Sequence, residues 1–158
     1  MDKFHRLVTT CLGIGYTPKG GGTLAAIACC LCWYFALESK SRNGYGPFLY
    51  GYGPAVATIL ILALGVWSAN KMEAEWGEDS PKIVIDEVAG MCLTLLFVPV
   101  RWPYVIGGLI LFRFFDIAKP LYIRKMESFP GGWGVMMDDV LAGIYSNIIL
   151  QVIVVFMR

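Results

Sequence analysis

Five carboxylates stand within or beside apolar runs of this sequence, and they are the residues best suited to chemistry. Two of them form the doublet Asp86-Glu87, two form Asp138-Asp139, and Asp116 stands alone. We interpret both doublets as lying at the starts of apolar helices, whereas Asp116 ends another apolar run. Carboxylates are costly next to hydrocarbon, so this placement calls for a compensating cation or a functional role.

Carboxylate oxygens suit a hard divalent cation such as Mg²⁺, which proteins usually hold with a few carboxylates, water and substrate phosphate. All five carboxylates are therefore candidate Mg²⁺ ligands and catalytic groups. Two plainer interpretations compete: acidic doublets favour helix N-termini through the helix dipole, and interfacial charge is often simply solvated. The dipole does not explain Asp116, because a helix C-terminus disfavours negative charge.

A glycine-rich segment, residues 18–23, precedes the first apolar run and is a candidate phosphate-binding loop. Bare glycines let backbone N–H groups approach an anion, and a helix N-terminus adds a favourable dipole. Lys19, Gly22 and Thr23 are its candidate substrate-binding residues. The alternative is a flexible turn capped by Thr23.

Three basic residues around Asp116, namely Arg113, Lys119 and Arg124, are further candidates for binding phosphoryl oxygens. Arg113 and Asp116 are also spaced for an ordinary i,i+3 ion pair on one helix. Arg124 has the alternative of contacting only anionic lipid headgroups.

Several catalytic classes are excluded by missing motifs. The sequence contains no Gly-x-Ser-x-Gly, no Cys-x5-Arg and no Asp-x-Asp motif. The single histidine, His5, argues against histidine-centred catalysis, and we expect it at headgroup level or in solvent. Attack by water with metal assistance, or by a carboxylate, remains.

The composition predicts an integral membrane protein with one domain, residues 1–158. Apolar residues make up 57% of the chain, the mean hydropathy is +0.62, and the net charge of +1 gives no field for nucleic acid. Five apolar runs follow a short interfacial helix within residues 1–16: Thr23–Leu37, Gly53–Ala69, Ile83–Val100, Tyr104–Ile117 and Val140–Met157. We therefore expect an all-α bundle with about four to five membrane-embedded helices. The segments Ser39–Gly53 and Lys71–Lys82 are expected to be loops on opposite sides.

The distribution of positive charge predicts the orientation. With a cytoplasmic N-terminus, the inner segments carry Lys3, Arg6, Lys19, Lys71, Lys82, Lys119, Arg124 and Lys125. The outer segments carry Lys40, Arg42, Arg101 and Arg158. This excess of inner positive charge favours that orientation, and the same threading collects the glycine segment and all five carboxylates on the inner face.

Three segments resemble motifs of the phosphatidylglycerophosphatase A family. They are Asp86-Glu87-x-x-Gly90, Phe112-Arg113-Phe114-Phe115-Asp116-Ile117-x-Lys119-Pro120, and Gly131-Gly132-x-Gly134-Val135-Met136-x-Asp138-Asp139-x-x-Ala142-Gly143. The glycine segment is similar to the family's Pro-x-x-Pro-Gly-Thr sequence, with Gly21 in place of the second proline.

The resemblance implies a Mg²⁺-dependent integral membrane phosphatase. Together with the predicted orientation, we expect it in the bacterial inner membrane with a site that faces the cytoplasm. It would convert phosphatidylglycerophosphate into phosphatidylglycerol and phosphate during glycerophospholipid biosynthesis. Which carboxylate is a base and which a ligand stays open, as does the number of metal ions. Two alternatives remain: an enzyme like the CDP-alcohol phosphotransferases, whose Asp-Gly-x-x-Ala-Arg motif is missing here, and a non-enzymatic divalent-cation transporter subunit.

Overall fold

The chain is almost entirely helical in the computed structural model, which describes residues 2–42, 47–77 and 80–157, with side chains omitted at 2, 39–42 and 47–51. The elements are α1 Asp2–Thr9, a 3-10 turn Ile14–Tyr16, α2 Gly21–Arg42, α3 Pro47–Trp76, α4 Ile85–Leu95, α5 Trp102–Ala118, α6 Ile123–Met126 and α7 Gly132–Phe156. No strand occurs within these ranges. The predicted all-α fold is confirmed.

Three of the described helices are long and apolar enough to cross a membrane. The candidate spans are Gly21–Glu38, Tyr52–Trp76 and Gly132–Phe156. By contrast, α4 has 11 residues and α5 has 17, which correspond to about 16 Å and 26 Å of helix. The embedded bundle therefore consists of three long helices with a hairpin of two shorter ones packed among them, and not of five equivalent spans.

The core of the bundle lies between α2, α4, α5 and α7. Its fully buried side chains include Phe112, Met91, Leu95, Ile123 and Leu150. Where α4 meets α7, a Cβ atom added to Gly143 would lie 2.4 Å from the carbonyl oxygen of Gly90. The two glycines therefore let the two backbones approach closely.

The N-terminal helix α1 lies against α3. His5 is only 3% exposed, its Nδ1 lies 3.1 Å from the Ser68 hydroxyl, and its ring meets the Trp67 ring edge-on. Arg6 on the same helix forms an ion pair with Glu75. The expectation of a solvent-facing His5 is therefore wrong, because α1 packs along α3 and buries the face that carries this residue.

Other sequence expectations also need correction. The predicted loop Lys71–Lys82 is helical as far as Trp76, because α3 continues beyond its apolar run. In the predicted loop Ser39–Gly53, α2 extends to Arg42 and α3 begins at Pro47, while residues 43–46 lie outside the described structure. Arg158 and the side chains of Lys40 and Arg42, which entered the charge count, also lie outside it.

Candidate active site

A cavity of about 280 Å³ lies at the end of the bundle where α2 and α4 begin and α5 ends, beside the first turns of α7. Its lining includes ten of the eleven predicted site residues, which are Lys19, Gly22, Thr23, Asp86, Glu87, Arg113, Asp116, Lys119, Asp138 and Asp139. The eleventh, Arg124, is exposed on α6 and does not line this cavity. The fold thus brings together side chains that the sequence separates by more than a hundred residues, while their roles stay predictions.

The two doublets lie at different positions along their helices. Asp86 and Glu87 lie in the first turn of α4, as expected. Asp138 and Asp139 lie well inside α7, which begins at Gly132, so their predicted place at a helix start is wrong. The glycine-rich segment before the second doublet is helical from Gly132, so α7 begins about two turns before its apolar run.

Three of the carboxylates converge on one point. Oxygens of Asp86, Glu87 and Asp139 all lie within 4.8 Å of one another. Asp86 and Asp139 each precede by four residues one of the two glycines where α4 and α7 touch. The close helix contact therefore places these two carboxylates at matching heights on neighbouring, parallel helices.

The other two carboxylates are neutralised by cations. Asp116 accepts a hydrogen bond of 2.5 Å from the Arg113 guanidinium, and Asp138 accepts one of 2.6 Å from Lys119 Nζ. Both pairs are partly buried, where ion pairs are screened less than at a free surface. The five carboxylates thus form two groups: a converging triad (Asp86, Glu87 and Asp139) and two members of ion pairs.

Several polar atoms around the cavity have no partner. Glu87 Oε2, Asp139 Oδ1 and Arg113 Nε are buried and make no hydrogen bond within the described part of the chain. A buried polar group without a partner costs roughly 1–3 kcal/mol, and more if it is charged. Two unsatisfied carboxylate oxygens in a converging triad fit a hard cation, and an unsatisfied guanidinium N–H fits an anion.

The glycine segment packs directly on the triad. A Cβ atom on Gly22 would lie 1.7 Å from Glu87 Oε1, so any larger residue here would displace that carboxylate from its observed place beside the first turn of α2. Because α2 begins at Gly21, Thr23 lies inside this turn and is not the residue preceding the helix that would cap it. Lys19 is exposed at the rim of the cavity.

Lys119 is held in an uncommon backbone conformation. It ends α5 with φ 45° and ψ 48°, immediately before Pro120. Its Nζ donates to Asp138 and also, at 2.5 Å, to Glu127. Burial alone would lower the pKa of Lys119, but the hydrogen bonds and charges of Asp138 and Glu127 outweigh it and raise the pKa above its usual range. Lys119 therefore stays protonated at neutral pH.

Several residues that contribute to the cavity or its contacts do not stand out in the sequence. Thr17, Ser80, Pro81 and Ile83 line it. Glu127 approaches through its ion pair with Lys119. None of them belongs to an acidic doublet or a glycine segment. Thr17, Ser80, Pro81 and Glu127 lie in the polar connections beside the apolar runs, and Ile83 is the first residue of an apolar run.

The chain is similar to named bacterial proteins. The family profile described as Phosphatidylglycerophosphatase A matches residues 7–154. A Bacteroides thetaiotaomicron protein named "Putative phosphatidylinositol-3-phosphatase" is 45% identical, with 92% of this chain and 91% of that protein covered. No solved structure matches the chain significantly.

Two relatives carry the same name as the profile. Phosphatidylglycerophosphatase A of Haemophilus influenzae is 40% identical over 98 residues, which cover 60% of each chain. Phosphatidylglycerophosphatase A of Escherichia coli is 31% identical, with 97% of this chain and 85% of that protein covered. The profile match covers the whole cavity and the three long helices except the last two residues of α7. This chain belongs to the phosphatidylglycerophosphatase A family of membrane phosphatases.

Proposed function

We propose that this protein hydrolyses the terminal phosphate of phosphatidylglycerophosphate to give phosphatidylglycerol and inorganic phosphate, as a step of glycerophospholipid biosynthesis. The observation that carries the proposal is the cavity itself. It joins a carboxylate triad suited to a cation with Arg113 and Lys119, which are suited to a phosphate. Membership of the family supports the same reaction.

The proposed cofactor is Mg²⁺, held by Asp86, Glu87 and Asp139. These residues fit the ion because their oxygens converge within 4.8 Å and two buried oxygens lack a partner. A bound Mg²⁺ would supply Lewis-acid stabilisation of phosphoryl charge. Asp116 and Asp138, which were candidate ligands on sequence grounds, instead orient Arg113 and Lys119 in this proposal, because each already accepts from one of them.

The other side chains of the cavity bind the phosphate and transfer protons in this proposal. The unsatisfied Arg113 Nε and the Lys119 ammonium bind phosphoryl oxygens, while Lys19 and the first turn of α2 at Gly22 and Thr23 contribute favourable charge at the rim. Water attacks phosphorus, the bond between phosphorus and the glycerol oxygen breaks, and that oxygen takes up a proton. A carboxylate accepts the proton that the attacking water loses. The three triad carboxylates lie so close together that their geometry does not single out one of them as this base.

A second candidate substrate is suggested by the Bacteroides relative, which is named "Putative phosphatidylinositol-3-phosphatase". Phosphatidylinositol 3-phosphate is also a phosphomonoester on the polyol headgroup of a phospholipid. Both lipids place the phosphate near the membrane surface while the acyl chains stay in the bilayer. The cavity chemistry is common to both substrates, so the two are compared directly.

The deciding experiment measures phosphate release by purified protein in mixed micelles that contain either lipid, before and after removal of metal. We expect faster release from phosphatidylglycerophosphate, loss of release in excess chelator, and recovery with Mg²⁺. Full activity in verified metal-free protein would exclude the metal-assisted mechanism. Faster turnover of the inositol lipid would reassign the substrate. A requirement for a CDP-linked donor, or cation flux in proteoliposomes without phosphate release, would favour the respective alternatives.

The site is proposed to face the cytoplasm of a bacterial inner membrane. Ser128 lies in the connection beside the cavity end, and Arg101 lies in the turn at the other end of the α4–α5 hairpin; both are exposed. In a background without the five native cysteines, Ser128→Cys should react with an impermeant maleimide from the cytoplasmic side and Arg101→Cys from the opposite side. The reverse result would show that the orientation is the opposite one. Labelling of both residues from one side would contradict the proposed topology.

A further inference from the structure

Lys119 is bound by two carboxylates, and only one of them belongs to the sequence motifs. Its Nζ donates to Asp138 Oδ2 at 2.6 Å and to Glu127 Oε1 at 2.5 Å. An ammonium group has three N–H donors, so these two bonds leave one donor for a third acceptor. Because Lys119 lines the cavity, that acceptor is a phosphoryl oxygen in the function proposed above.

From this geometry we infer that Glu127 is a positioning residue, which fixes the Lys119 ammonium so that its remaining N–H is presented to the phosphate. The inference rests on the proposed function. A lysine side chain has a flexible four-carbon stem, and a single ionic contact leaves its head group free to rotate. Two acceptors on different segments, α7 and the residue after α6, define the position of the nitrogen much more closely.

The location of Glu127 supports this role. It lines an adjoining cavity of about 330 Å³ together with Asp138, so Lys119 is held where the two cavities meet. Lys119 itself ends α5 in a left-handed conformation, and Leu121 and Tyr122 after it also have positive φ. Such backbone conformations cost free energy and persist only where surrounding contacts hold them. The turn delivers Lys119 to two acceptors that its own helix does not provide.

The competing interpretation is an ordinary surface ion pair, which contributes little to stability. The chain contains a matched case for comparison. Glu75 accepts from Arg6 between α1 and α3, and its side chain is 40% exposed, against 41% for Glu127. Glu75 does not line the active-site cavity. Glu75→Gln therefore reproduces the loss of an exposed ion pair without a change near the site.

The test compares Glu127→Gln, Glu127→Asp and Glu75→Gln in the purified protein, with kcat, KM and thermal unfolding in detergent. We expect Glu127→Gln to lower kcat about tenfold, because the Lys119 ammonium would no longer be held in a fixed orientation toward the phosphate. KM should not rise, because removal of a negative charge near the phosphate favours its binding. Glu127→Asp should recover most of kcat, and Glu75→Gln should match the unaltered protein. All three should unfold at nearly the same temperature.

A double-mutant cycle with Lys119→Gln separates positioning from a general structural effect. If Glu127 acts through Lys119, then Glu127→Gln should have no further effect on kcat once Lys119 is replaced. Additive losses, a Glu127→Gln variant within twofold of normal kcat, or a parallel fall in unfolding temperature would each overturn the inference. If the unaltered protein releases phosphate from neither lipid, the proposed function fails and the inference fails with it; an active protein with an additive cycle overturns the inference alone.

Discussion

Two sets of polar side chains lie inside the helical bundle, and they differ in how their hydrogen bonds are used. In the deep set, Asn147 donates to the carbonyl oxygens of Thr94 and Leu96, both at 2.9 Å, and Gln151 donates to Leu96 at 3.2 Å. In the cavity set, by contrast, Glu87 and Asp139 each keep a buried oxygen without a partner in the described structure.

The difference distinguishes side chains that hold the helices together from side chains that are available to a ligand. The last carbonyl groups of a helix lack intrahelical donors, and α4 ends before it could cross a membrane. Asn147 and Gln151 on α7 supply those donors, so a short helix can end inside the bundle. At the cavity the fold leaves buried acceptors unsatisfied, which costs free energy unless something else binds there. The deep set therefore belongs to the scaffold, and the unsatisfied buried groups mark the site.

The largest effect is expected when a triad carboxylate loses its charge. Asp139→Asn and Asp86→Asn keep the size of the side chain but remove a proposed ligand. Each should lower kcat by on the order of 10² or more, the scale for loss of one electrostatic stabiliser. Steady-state phosphate release measures the change. Divalent-cation binding, followed by titration with Mn²⁺ and its electron paramagnetic resonance signal, should weaken in parallel.

Folding should survive these two substitutions, since they remove negative charge from a crowded acidic cluster. Thermal unfolding in detergent checks this point. Near-normal turnover and Mn²⁺ binding in both variants would show that the unsatisfied oxygens do not mark a metal site, and the comparison between the two polar sets would lose its functional meaning.

The second-largest effect on kcat is expected at Gly22. Its added methyl group in Gly22→Ala would overlap Glu87 Oε1, so the carboxylate must leave the position in which it converges with the other two triad members. We expect kcat to fall about tenfold, since small displacements of catalytic groups are costly. Gly53→Ala is the matched control, because a Cβ atom there meets nothing within 4 Å. Equal activity of the two variants would show that Glu87 does not need its observed position.

The sequence predicts the end of the bundle at which the site lies better than it predicts the helices that build the site. Positive charge and carboxylates collect at the same ends of apolar runs, so their convergence follows from threading alone. After its acidic doublet, however, the run Ile83–Val100 is largely apolar, and its one helix-breaking residue, Pro99, lies four residues beyond Leu95, where α4 stops. The donors that permit this stop come from Asn147 and Gln151, about fifty residues later in the chain.

The sequence also does not predict the division of the five carboxylates into a converging triad and two members of ion pairs. The pair of Arg113 with Asp116 is local, three residues apart on one helix, and sequence reasoning weighs it as an alternative. The pair of Lys119 with Asp138 depends on the turn after α5, whose left-handed residues have no glycine to announce them. Glu127 has no motif at all. Residue types therefore indicate which groups are available, while the turns decide which cation meets which carboxylate.

A change in the deep set should affect stability and spare catalysis. Asn147→Leu keeps a similar volume but removes the donor to Thr94 and one donor to Leu96. We expect the free energy of unfolding to fall by about 1–2 kcal/mol, within the range for lost interhelical hydrogen bonds in membranes. Thermal unfolding in detergent measures the loss, and kcat at a temperature well below unfolding should stay within about twofold. A large loss of kcat with unchanged stability would contradict a scaffold role.

The smallest effect is expected at Arg124. Both Arg113 and Arg124 follow from sequence as phosphate-binding candidates, but only Arg113 lines the cavity and keeps an unsatisfied N–H there. Arg124 is exposed on α6, where an arginine contributes mainly to attraction of anionic lipid. Arg124→Gln should therefore leave kcat/KM on neutral detergent micelles within about twofold, while Arg113→Gln lowers it at least tenfold. On vesicles rich in anionic lipid, a modest salt-dependent change for Arg124→Gln is expected. Equal losses for the two variants on neutral micelles would place Arg124 at the substrate phosphate, and the cavity would then have to close over α6 when substrate binds.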